Sequence, residues 1–194
     1  MIELPASPAP RDMEPIYVDR GFTQEGASDL RVDRPGSRWA LNINYPPMEP
    51  SVSAKFTARF VRGKSDGVRI GLPLIVPQGA PGSPVVNGAG QSGRLLSVRG
   101  LTPGYAVKEG FWLNIVRAST GVSYLHQAFG TVFADAAGNA VIDLNPGLRA
   151  PFADGDVIEL ARPWIEGRVL GEEWSWQVPV NHLIALSVPV KENQ

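Results

Sequence analysis

The stretch Arg38-Trp39-Ala40-Leu41-Asn42-Ile43-Asn44-Tyr45 decides the fold class. Trp39, Leu41, Ile43 and Tyr45 fall on one side of an extended chain, and Ala40, Asn42 and Asn44 on the other. That period of two predicts a half-buried strand. Pro46-Pro47 ends the run. The same grammar of short apolar runs cut by turn residues repeats along the chain, in which Gly 21 and Pro 18 make up about a fifth of 194 residues. Such punctuation predicts many strands and a mainly β protein.

Outward from that strand, Pro50 to Arg62 predicts a single short helix. Proline suits the first turn, Val52, Phe56 and Phe60 recur on one side, and Gly63 is positioned to stop it. Val68 to Val76 predicts another strand, running into the proline- and glycine-rich 77–84, which marks a boundary. Beyond it, Arg94–Val98, Phe111–Val116, Ser123–Ala134, Ala140–Leu144 and Val157–Ala161 predict a small β-barrel or sandwich, with turns at Asp135–Asn139 and Asp154–Asp156. After Pro163, Ile165–Leu170, Glu173–Val178 and Leu183–Val190 alternate in the manner of the N-terminal strands. The expected architecture is a β-sandwich with one short helix, made of residues 1–78 and 163–194, carrying an inserted β-barrel-like domain of residues 79–162. Residues 1–15 hold four prolines and no periodicity. They predict an extended arm, disordered in an isolated subunit and ordered against a neighbour.

Composition excludes several functions. With Cys 0 there is no disulfide, thiolate metal site or cysteine nucleophile. The formal net charge of -1 and scattered basic residues leave no basic face, so no nucleic-acid binding is expected. No apolar run is long enough to span a membrane. The first residues lack a basic segment followed by an apolar one, which points to synthesis in the cytoplasm.

Candidate chemical groups are few. The run Asn87-Gly88-Ala89-Gly90-Gln91-Ser92-Gly93 leads into a strand, whereas a phosphate loop leads into a helix, so it reads as a turn. Ser123, His126 and Asp135 make a triad on paper, but Ser123 has no nucleophile-elbow context, and His126 and His182 read as structural. Asp154 and Asp156 flank a glycine without the full calcium-loop pattern. Glu172 and Glu173 precede Trp174 and Trp176, an arrangement that a sugar-binding site and a charged loop before an amphipathic strand would both produce. The tryptophan surplus (Trp39, Trp112, Trp164, Trp174 and Trp176) suits cores and interfaces alike. No catalytic, cofactor-binding or metal-binding residue is assigned, and no enzyme activity is expected.

The blocks Gly110-Phe111-Trp112-Leu113-Asn114-Ile115, Tyr124-Leu125-His126-Gln127-Ala128, Ala134-Asp135-Ala136-Ala137-Gly138-Asn139-Ala140 and Asn145-Pro146-Gly147-Leu148-Arg149 follow a strand-and-turn pattern. Together with Arg38-Trp39, Pro46-Pro47-Met48 and the helix after them, this pattern resembles tail-tip structural proteins of siphophages and prophages, of the distal tail protein type. The resemblance covers roughly residues 34–190, with Phe111 standing where the pattern usually has Asp. It implies a virion structural protein of the bacteriophage tail, assembled in the host cytoplasm. In that role it would form a six-fold (hexameric) ring that links the tail tube to the tail-tip hub or baseplate. The alternative is a carbohydrate-binding or host-receptor-binding module of a tail tip, with Trp112, Trp174 or Trp176 as stacking platforms.

Overall fold

The computed structural model describes residues 1–5, 7–25, 30–32, 36–180 and 182–193. In chain order its elements are β1 (Ile2–Glu3), β2 (Asp12–Val18), β3 (Phe22–Gln24), β4 (Leu30–Val32), β5 (Arg38–Met48), α1 (Pro50–Asp66) and β6 (Val68–Gly71). There follow β7 (Gly82–Val86), β8 (Gln91–Leu101), β9 (Ala106–Val107), β10 (Trp112–Val116), β11 (Ser123–Phe129), β12 (Val132–Phe133) and β13 (Ala140–Phe152). The last three are β14 (Val157–Glu159), β15 (Trp164–Val169) and β16 (Ile184–Glu192). The protein is mainly β and includes a small closed barrel. Among the described residues, no helix is long and apolar enough to cross a membrane. Two compact units are present, one of residues 1–17, 39–73 and 165–194, the other of residues 18–38 and 74–164.

The first unit is a six-stranded sheet in the order β1-β6-β15-β16-β5-β2. Trp39, Leu41, Ile43 and Tyr45 are all buried, as their alternation requires. Their antiparallel partner β16 repeats the pattern, setting Leu41 opposite Val190, Ile43 opposite Val188 and Tyr45 opposite Leu186. The layer against this apolar face is α1, so the sandwich expected here takes the form of one sheet and one helix. Ser53, Phe56, Phe60 and Gly63 form the buried stripe of α1, and the Tyr45 ring lies 4.8 Å from Phe56 and 5.8 Å from Phe60. Burying each phenylalanine contributes roughly 1.5–3 kcal/mol.

Three expectations for this unit need correction. The helix does not stop at Gly63 but runs another turn, to Asp66. Gly63 is a close-packing position, where a Cβ would lie 2.3 Å from Val68 Cγ1. The helix ends at Gly67, whose φ of 75° only glycine adopts readily and whose N–H donates to the Gly63 carbonyl. The strand predicted from Val68 stops at Gly71, before Pro73, and Ile75 beyond it is 99% exposed. Residues 1–15 are not a loose arm. Ile2 and Glu3 pair in parallel with Val68 and Arg69, Arg59 donates to the Glu3 carbonyl, and β2 forms the edge beside β5. Proline bars a segment from the middle of a sheet but not from its edge, and Pro15 sits within that edge strand.

In the second unit the strands β10-β11-β13-β8-β7-β14 close into a barrel. Val86, Leu96, Val98, Leu113, Ile115 and Leu144 lie at its centre with no exposed surface. The turn after β12 is built on Asp135, whose Oδ1 accepts the N–H groups of Ala137 and Asn139 at 2.8 Å each. A separate two-stranded hairpin, β3 with β4, also belongs to this unit.

Candidate functional site

The paper triad does not assemble. Ser123 and His126 are three residues apart on β11, so their side chains leave opposite faces of the strand. The Ser123 hydroxyl accepts a hydrogen bond from Asn114 Nδ2 at 2.9 Å, and the same amide donates to the Trp164 carbonyl while its oxygen accepts the Trp164 N–H. Asn114 is a structural clamp, fully buried, that ties the start of β15 to β10. His126 faces the barrel interior, between Tyr124 and Ala128 of the core. Its Nδ1 lies 2.8 Å from the Pro146 carbonyl, which can only accept, so Nδ1 carries the proton and Nε2 is left as a buried lone pair without a hydrogen bond. Burial, aided by the charge of Arg149 and opposed by the Pro146 bond, pushes the His126 pKa down to about 3. Asp135 belongs to its own turn, where hydrogen bonds from Asn139, Ala137 and Gly138 lower its pKa.

The other candidates are equally engaged. Gly88 to Gly90 form the turn between β7 and β8, where the Gly88 N–H donates to Asp154. Asp154 pairs with Arg99, and that hydrogen bond, with the one from Gly88, holds its pKa down to about 2. Asp156 is buried and accepts the N–H groups of Ala118 and Ala153 at 2.9 and 2.8 Å. Glu172 and Glu173 are exposed. His182 is exposed as well, with φ at 59°, and its N–H donates to the Pro179 carbonyl. Among the described residues no group of three or more His, Asp or Glu could hold a metal ion.

Sequence reasoning missed Gln78. It lies in what reads as a linker, yet it is buried, donating to the Trp112 and Leu160 carbonyls and accepting the Trp112 N–H at 2.8 Å. One amide between a proline and a glycine carries no periodic signal that could have revealed it.

What remains exposed is apolar and of strand type. The expected strand Glu173–Val178 does not form, for residues 173–179 lie in no sheet. Its alternation is nevertheless intact, with Trp176 40% exposed, Val178 64% and Val180 96%. Trp174 anchors the segment, its Nε1–H donating to the Ser187 carbonyl at 2.9 Å and its ring 5.6 Å edge-on to Phe60. Trp176 lies 5.1 Å from Trp174. In the hairpin, Phe22 faces Val32 and Gln24 faces Leu30, so these four share one face. Phe22 is 50% exposed, Leu30 58% and Val32 44%. Of the remaining tryptophans, Trp39 is buried edge-on to Tyr17 at 5.3 Å, and Trp112 and Trp164 are half-buried. No known family model matches the chain, and no curated protein matches it.

Proposed function

We propose that this chain is a structural component that works by assembly, in the manner of the ring-forming adaptors at the distal end of a siphophage tail that join tail tube to tip or baseplate. The observation that carries this reading is the division of labour among the side chains. The polar groups of the chemical candidates on the barrel are spent on internal hydrogen bonds and ion pairs, whereas large apolar residues of strand type stand in solvent at 22–32 and 174–180. Exposed apolar surface of this kind marks interaction sites. A heterologous contact repeated between copies closes into a ring.

Native mass measurement and negative-stain imaging of the purified protein test this reading. A closed oligomer with six-fold projections is the expected result, and a monomer that stays monomeric at every concentration and with tail-tube partner added would sink it. No hydrolysis of peptidoglycan, ester or glycoside substrates is expected, and turnover lost on His126→Ala, Asp135→Ala or Glu173→Ala would overturn the structural role. A second reading, binding of a host sugar, is favoured by the exposed Trp176 ring seated on Trp174. A glycan array probed with the protein and with Trp176→Ala separates the two.

A further inference from the structure

Resting on the assembly reading, we infer that residues 174–180 of one copy add as a third strand to the β3–β4 hairpin of a second copy. Two incomplete structures on the same chain point to this. The segment Trp174-Ser175-Trp176-Gln177-Val178-Pro179-Val180 has a strand's alternation, no charge to deter pairing and no sheet partner. The hairpin has only three residues in each strand, every one of them exposed. A two-stranded hairpin is marginal in water on its own and becomes stable when a further strand covers an apolar face. One copy therefore supplies the missing strand and the next supplies the missing edge.

The pairing edge follows from Pro179. In an extended chain the N–H and C=O of each residue point to the same side, and alternate residues share that side. Pro179 removes a donor from the side used by Ser175 and Gln177. The side used by Trp174, Trp176, Val178 and Val180 is complete, so pairing runs through it, as when an extended peptide joins a sheet edge. The occupant is a second copy because the chain carries both halves and leaves both exposed.

The natural absence of cysteine makes the test clean. Single variants Trp176→Cys, Val178→Cys and Val180→Cys are each mixed with Phe22→Cys, Leu30→Cys or Val32→Cys and oxidised, with Ser175→Cys and Gln177→Cys as out-of-phase controls. Far-UV circular dichroism confirms that each variant folds. A disulfide-linked heterodimer from at least one in-phase pairing, with none from Ser175→Cys or Gln177→Cys against the same hairpin positions, supports the proposal, since a disulfide needs Cβ atoms about 4 Å apart. Bands of equal strength from both phases, or no mixed dimer at all, overturn it. Oligomer size is read on the same samples. Closed oligomers without mixed dimers refute this interface and leave the assembly reading standing, whereas no oligomer and no mixed dimer remove both.

Discussion

The barrel closes on itself, so every strand in it has a neighbour on both sides, whereas the six-stranded sheet ends in β1 on one side and β2 on the other. Closure removes edges altogether, and an open sheet must manage them. Here one edge is capped by two residues, and the other carries Pro15 and the charges of Asp12 and Glu14, which accept from Asn44 and Asn42. The two units also spend polar groups differently. The barrel uses Asn114, Gln78, Asp154 and Asp156 to fix its own turns and crossings, while the open unit sends a long, largely apolar segment, 173–180, into solvent. The unit that is finished in itself is a poor place to seek contacts, and the unfinished one a good place.

The largest effects expected come from breaking either core. Phe56→Ala should cost about 3–5 kcal/mol and Leu96→Ala about 2–5 kcal/mol. Hydrogen exchange should accelerate mainly in β5 and β16 for the first, and in β8 and β13 for the second. Uniform acceleration in both variants would break the division into two units.

Acid should separate the units next. Folding keeps His126 neutral, with its pKa near 3 against an ordinary value of 6.5. The unfolded chain therefore takes up a proton first, and stability present above pH 6.5 is lost as pH falls toward 3. Between pH 6.5 and 4.5 the barrel should lose about 2–3 kcal/mol. Urea titrations followed by barrel amide signals would show it, and His126→Phe should flatten the slope.

Removing residues 1–4 deletes β1 and its parallel pairing with β6. We expect a cost of about 1–2 kcal/mol in the open unit, read from the urea midpoint. An unchanged midpoint would restore the loose arm that the prolines suggest. The smallest effect on stability belongs to Trp176→Ser, within about 0.5 kcal/mol because the ring is exposed. Its oligomer should nevertheless weaken in native mass spectra.

Legibility followed the kind of signal each residue carries. Trp39 to Tyr45 and their partners in β16 could be read directly, because one-sided burial imposes a period of two. Phe56 and Phe60 marked the helix for the same reason at a different period. Gly63 was misleading, because glycine serves both as a stop and as a place of close approach, and only the distance to Val68 separates the two uses. The alternation at 173–178 states what a strand would bury and is silent on whether an edge is free to receive it. Ile2 and Glu3 pair over too short a length to leave any periodicity. The triad of Ser123, His126 and Asp135 failed because proximity in sequence on a strand sends side chains to opposite faces.

The placement of β16 has a consequence for the order of synthesis. The barrel strands lie between Gly82 and Glu159 without interruption, but β5 waits for a partner nearly the whole chain away, since Leu41 pairs with Val190. Contacts so distant in sequence form late, and a ribosome releases the N-terminal part first. The barrel is therefore expected to mature on the nascent chain while Trp39, Leu41 and Ile43 still lack their neighbours. Chains arrested at Trp164 should show protected barrel amides and an unprotected β5. On that timetable the surface that meets other copies is completed only by the last residues made, and incomplete chains are kept out of the assembly.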